Sequence, residues 1–182
     1  SEALVAREIA SALPDSTTLF ISSSRPIRDI EGFASARTGI ETFANRGLAG
    51  IDGNISTALG IASQRKSAIA ILGDLSFLHD ITGLIHHEDI NLKIVVIDNN
   101  GGGIFSTLSH RGVEGFEEVF GTPHNLDLAA IASAFGLSTT TVKNEAELKE
   151  EIARPVNGLS LVVVQVPDRE RNADHLQKIM RL

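Results

Sequence analysis

The sequence predicts an α/β protein, doubly wound around a mostly parallel sheet of about six strands with helices on both faces. Three observations lead there. Apolar runs with the length of buried strands recur along the chain, helical periodicities fall between them, and polar turns suited to ligand binding stand where two of the runs break off. The 182 residues fit one domain with a sizeable core, and 42% hydrophobic with 21% charged side chains is an ordinary globular balance.

Taken in order, the chain opens with an amphipathic helical pattern at Leu4–Leu13, followed by an apolar strand at Thr18–Ser22. A second helical pattern covers Asn54–Ser63 and leads into the strand Ala68–Leu72. The helix expected at Phe77–His86 connects this to the strand Lys93–Asp98. Leu126–Phe135 reads as a helix, Ser138–Val142 as a weaker β-branched strand, and Glu145–Ala153 as a helix before the strand Leu159–Val166. A last helical pattern spans Ala173–Arg181. The glycine-containing stretch from Gly101 to Asn125, with Thr122-Pro123, is expected to be irregular and the most mobile part of the chain.

Composition narrows the chemistry. A net charge of −7 disfavours a surface built to follow nucleic-acid phosphates or anionic lipid, although a local arginine cluster still suits a small anion. Without cysteine there is no disulfide, thiolate zinc site or cysteine nucleophile, which fits a cytoplasmic protein. Neither a basic leader with an apolar segment nor a membrane-length apolar run is present, so neither secretion nor membrane insertion is expected.

Two turns carry the chemistry. Asp74, in Gly73-Asp74-Leu75-Ser76, and Asn99, in Asp98-Asn99-Asn100-Gly101-Gly102-Gly103, each follow an apolar run and are each expected at the carboxyl end of a strand, where open α/β sheets bind ligands. A carboxylate and an amide oxygen beside a glycine-rich turn suit a hard cation carrying a phosphorylated ligand. Taken singly, each has a structural explanation: aspartate is a favoured helix N-cap, and Asn-Asn-Gly is a common turn. The histidines His79, His86 and His87 with Glu88 do not share one helical face closely enough to hold one ion. Gly101-Gly102-Gly103 lacks the order of a dinucleotide-binding fingerprint, and the chain has no Gly-x-Ser-x-Gly elbow.

Together, the Gly-Asp pair and the Asn-Asn pair about 25 residues later resemble the thiamine-diphosphate signature, with Leu75 standing where that signature usually has glycine. Ser24-Arg25-Pro26-Ile27-Arg28-Asp29, the segment from Asn45-Arg46-Gly47 through Gly50-Ile51-Asp52-Gly53-Asn54, Gly73–Asp80, Asn99–Phe105 and Phe120-Gly121-Thr122-Pro123-His124 narrow the resemblance. They are similar to the C-terminal third of the 2-succinyl-5-enolpyruvyl-6-hydroxy-3-cyclohexene-1-carboxylate synthases of menaquinone biosynthesis. The resemblance implies that residues 1–182 are the diphosphate-binding domain of a three-domain enzyme. It implies a transferase that decarboxylates 2-oxoglutarate and adds the succinyl-semialdehyde unit to isochorismate.

The same resemblance implies site residues. Thiamine diphosphate would meet Ile51, Gly73, Asp74, Leu75, Ser76, Asn99, Gly101 and Gly102, with Ile51 supporting the bent cofactor. Mg²⁺, or Mn²⁺, would be held by Asp74, Asn99 and the Gly101 carbonyl. Substrate would meet Ser24, Arg28, Arg46, Ile104 and Phe105, with Ser23 where the family commonly has asparagine. No catalytic residue is assigned within the chain, because the activating glutamate of the family lies on a domain outside it. The isolated chain is therefore expected to be inactive, and the full-length protein to be a homodimer or homotetramer. Two alternatives stand beside this reading: another thiamine-dependent enzyme of the acetolactate synthase or 2-oxoacid decarboxylase type, and a non-catalytic assembly module. The role of His124 is left open.

Overall fold

The computed structural model describes residues 1–85 and 89–180. Six parallel strands form one sheet in the order β2-β1-β3-β4-β6-β5: β1 Thr18–Ile21, β2 Glu41–Phe43, β3 Ala68–Gly73, β4 Leu92–Asp98, β5 Ser138–Val142 and β6 Leu159–Gln165. The helices are α1 Glu2–Ala12, α2 Arg25–Phe33, α3 Asn54–Ser63, α4 Asp74–His79, α5 Leu128–Ala134, α6 Glu145–Ala153 and α7 Arg169–Met180. The α/β fold expected from the alternation of apolar runs and helical patterns is the one observed.

Strand alternation divides the core into two layers. Ala68, Ala70 and Leu72 of β3 with Leu92, Ile94 and Val96 of β4 pack against Ile55 and Leu59 of α3, Phe77 of α4 and Leu128 of α5. Ile69, Ile71, Val95 and Ile97 face the other way, against Val5 and Ile9 of α1, Ile27 of α2, and Leu148 and Ile152 of α6. Both faces are covered, which is why the central strands read as unbroken apolar runs instead of alternating ones.

The chain order puts a crevice at one edge of the sheet. β1 leads to β2 on one side while its neighbour β3 leads to β4 on the other, so the connections diverge outside the carboxyl ends of β1 and β3. Such a reversal is where this class of sheet leaves room for a ligand. Ser22–Ser24 after β1, Gly73-Asp74 after β3 and Asn99 after β4 all arrive there.

Two elements are absent from the sequence-based expectation. In α2, Pro26 in the first turn and four charged residues in nine mask a narrow apolar stripe. The edge strand β2 has three residues and little buried surface, too short for any periodicity. Helix α4 begins at Asp74 itself instead of near Phe77 and ends at His79, followed by a 3₁₀ turn at Ile81–Leu84; His86, His87 and Glu88 lie outside the described residues. The segment after Gly101 contains a 3₁₀ turn at Phe105–Thr107 and a π-type turn at Glu117–Gly121.

Lys93, the second residue of β4, is charged and almost fully buried. Its ammonium donates to the carbonyl of Glu151 and, at 2.8 Å, to that of Arg154, so it satisfies the open carbonyls at the end of α6. Burial pushes its pKa down, and the neighbouring Glu151 carboxylate opposes that shift. Lys93→Met keeps the stem and removes the donor, leaving one buried and one partly buried carbonyl unpaired. We expect a loss of roughly 1–3 kcal/mol in urea unfolding; an unchanged midpoint would show that the cap is dispensable.

Candidate cofactor and metal site

Asp74 is the first residue of α4, and Gly73, in extended conformation, occupies the cap position. The aspartate is therefore free of the N-cap role that its residue type suggests. Its Oδ1 accepts from the Leu75 amide at 2.7 Å, and its Oδ2 accepts from the Gly101 amide at 2.8 Å, across the crevice from the end of β4. The carboxylate is 2% exposed, and burial pushes its pKa up while these amides pull it back.

A third donor reaches the same carboxylate from the irregular segment. The Leu126 amide donates to His124 Nδ1 at 3.1 Å, which leaves the proton of a neutral ring on Nε2; that atom lies 3.2 Å from Asp74 Oδ2. His124 is held in place by Asn100, whose Oδ1 accepts from the amides of His124 and Asn125. Asn100 itself sits at φ +63°, and Asp98 Oδ1 accepts from its amide at 3.0 Å. Ligand atoms of Asp74, Asp98 and His124 thus all lie within 4.8 Å of one another.

Asn99 is 6% exposed and its two amide atoms have different fates. Nδ2 donates to the carboxylate of Glu2, on α1, while Oδ1 is buried without a hydrogen-bond partner. The turn that follows has no room for side chains. Gly101 has φ +137°, and a Cβ there would stand 2.2 Å from the Gly121 carbonyl; one on Gly103 would stand 2.3 Å from Asn99 Nδ2.

These groups border a cleft of about 190 Å³. Every residue expected to meet the cofactor lines it: Ile51, Gly73, Asp74, Leu75, Ser76, Asn99, Gly101 and Gly102. Ser24, Ile104 and Phe105 line it too, from the group expected to meet substrate. Ser24 adopts φ +76°, an unusual conformation for a residue with a side chain, where the chain passes from β1 to α2. Ser76 donates its hydroxyl to the Ile51 carbonyl at 3.1 Å and so ties the loop before α3 to α4.

Arg28 and Arg46 stand apart from the cleft lining. Arg28 is exposed and donates back to the Ser24 carbonyl at 2.7 Å; Arg46 is exposed on the loop between β2 and α3, beside a separate concavity. The guanidinium that does line the cleft is Arg25, paired with Asp29 and Glu2. Sequence reasoning left Arg25, Glu2 and Asp98 without a role. Arg25 and Asp98 adjoin residues already singled out, whereas nothing local marks Glu2, whose partner Asn99 is 97 positions away.

The donor set fits a hard divalent cation. A buried carboxylate and an unpartnered buried amide oxygen are oxygen ligands of the kind Mg²⁺ takes, and the unpartnered oxygen is costly in the absence of a ligand. His79 is exposed on α4 and takes no part in this group.

A parallel sheet with a polar crevice at its switch point is the form in which open α/β domains bind ligands. The family described as thiamine pyrophosphate enzyme, C-terminal TPP binding domain, matches residues 32–166, and the chain belongs to it. It is 42% identical over 181 residues, 95% of its length, to the 2-succinyl-5-enolpyruvyl-6-hydroxy-3-cyclohexene-1-carboxylate synthase of Thermobifida fusca (strain YX). It is 40% identical over 183 residues, 98% of its length, to the synthase of the same name from Bacillus cytotoxicus. It covers 32% and 31% of those two proteins, so the chain spans about a third of the relatives it matches. Among solved structures, benzoylformate decarboxylase from Polynucleobacter necessarius aligns with a TM-score of 0.66 over 90% of this chain and 32% of that one, at 20% identity, which shows the shared fold.

Proposed function

We propose that residues 1–182 are the C-terminal, diphosphate-binding domain of a three-domain enzyme that decarboxylates 2-oxoglutarate and transfers the succinyl-semialdehyde unit to isochorismate. The identity of about 40% along nearly the whole chain to two synthases of that product carries this reading. Thiamine diphosphate, when bound, supplies the electron sink for the decarboxylation and the transfer. What this chain contributes is binding and orientation.

Asp74 and the Asn99 oxygen would hold Mg²⁺, with the Gly101 carbonyl as the third protein ligand. The support is the unpartnered Asn99 oxygen, since an amide buried without a partner on one side is a ligand in waiting. Amides at the start of α4 would face the diphosphate. Ile51 would support the bent cofactor, and Ser24, Ile104 and Phe105 would border the substrate. Arg28 and Arg46 would meet substrate carboxylates, each moving from its exposed position; their side chains have the reach and the bidentate fork. The glutamate that activates the cofactor would come from another domain, and full assembly would be a cytoplasmic homodimer or homotetramer.

The direct experiment assays the complete enzyme and the isolated 182-residue chain side by side with 2-oxoglutarate, isochorismate, thiamine diphosphate and Mg²⁺. Product from the complete enzyme and none from the folded chain is expected. Equal turnover by both would overturn the domain assignment, and a complete enzyme that uses pyruvate instead would assign it to another thiamine-dependent activity.

Asp74→Ala in the complete enzyme is expected to abolish calorimetrically measurable binding of thiamine diphosphate with Mg²⁺. Retention of wild-type affinity would remove Asp74 from the site. Arg28→Lys and Arg46→Lys keep charge and lose the fork, so substrate use should fall about 10-fold or more while cofactor affinity is retained. Varying 2-oxoglutarate and isochorismate separately assigns each arginine, and unchanged constants for both substrates in both variants would refute the role.

A further inference from the structure

We propose that Glu2 is a positioning residue of the cation site, fixing which end of the Asn99 amide is presented to the ion. The inference rests on the reading of Asn99 as a ligand. An amide side chain can sit in either of two orientations that exchange its oxygen and nitrogen. Only the oxygen can bind a cation.

Glu2 removes that freedom. A carboxylate accepts hydrogen bonds and donates none, so the atom of Asn99 that faces it must be Nδ2, and Oδ1 is then turned away. The geometry has this form: Nδ2 donates to Glu2 Oε1, and Oδ1 is the arm without a partner.

Glu2 is itself tied down through both its carboxylate and its backbone. Glu2 is 5% exposed, its backbone amide donates to Asn172 Oδ1 of α7 at 3.2 Å, and its second oxygen lies 3.4 Å from Arg25 Nε. Arg25 is paired in turn with Asp29 on the next turn of α2. Asn172 is anchored by donating to the carbonyls of Pro167 and Asp168. The first turn of α2 thus meets the carboxylate and α7 the backbone amide of this one residue of α1, and the carboxylate meets the end of β4. A first-turn acid serving only the dipole of α1 would face its own helix amides, with no need to reach Asn99. An outer partner that orients a metal ligand typically changes affinity by about 10–100-fold when lost.

Glu2→Gln separates orientation from packing, because glutamine fills the same space but can either accept from Nδ2 or donate to Oδ1. In the complete enzyme with thiamine diphosphate held constant, Mg²⁺ titration by calorimetry should show affinity weakened about 10-fold. The decisive comparison repeats the substitution on Asn99→Asp, where both arms are oxygens and orientation no longer matters. There the orientation contribution is gone, so Glu2→Gln should weaken Mg²⁺ clearly less than in the native background. An equal loss in both backgrounds, or none in the native one, would overturn the positioning role. Asn99→Ala serves as the control on the underlying reading: unchanged Mg²⁺ affinity in that variant would overturn the ligand assignment itself, and the positioning role with it.

Discussion

The parallel pairing of β3 with β4 runs without a bulge from Ala68 opposite Leu92 to Gly73 opposite Ile97. That register brings the next residues, Asp74 and Asp98, to the same level at the edge of the sheet and sets Asn99 one step beyond. Because side chains alternate faces along a strand, a slip of one residue would exchange Ile97 with Val96 between the two cores and carry Asn99 away from Glu2. The two apolar layers enforce the register, and the register assembles the site. Stability and function here share one constraint.

The crevice concentrates negative charge in a dry place. Asp74 is nearly inaccessible, Asp98 lies close by, and Glu2 is buried behind Asn99. Amides, the His124 imidazole and Arg25 offset part of the cost, but burial still drives the Asp74 pKa upward. A divalent ion would reverse that balance, since an adjacent positive charge favours the ionised carboxylate. Ion binding would therefore release a proton wherever Asp74 is protonated beforehand.

The irregular segment after Gly101 is fastened at several points. The Gly102 amide donates to the Gly121 carbonyl at 2.8 Å, and Arg169 of α7 pairs with Glu117. Arg111 reaches Glu170 and Asp174 on α7, and Phe105, His110, Phe116 and Phe120 cluster with ring centroids 4.6–6.3 Å apart along their contacts. Both ends of the segment thereby face Asp74: Gly101 through its amide and His124 through its ring. The expectation of irregular structure was legible from glycine and proline content. Its closure onto the site was not, because the closing contacts join residues from about 20 to 60 positions apart.

The sequence by itself determined the α/β class, every strand but β2, the helices α3 and α6 to the residue, and the two turns that carry Asp74 and Asn99, because apolar periodicity and turn chemistry are local properties. Its motif resemblance also reached the family, since those turns have fixed residue types at fixed spacing. It did not show α2 and β2, whose apolar content is too small to leave a period, nor that Gly73 caps α4 and leaves Asp74 available. Tertiary structure alone decided that Arg25 lines the cleft while Arg28 and Arg46 stand outside its lining, that the Leu126 amide sets the His124 proton on the nitrogen facing Asp74, and that the Glu2 carboxylate accepts from Asn99 Nδ2. Each of these depends on how separate elements meet across the crevice, and the orientation of a buried side chain is fixed by partners that its neighbours in sequence do not name.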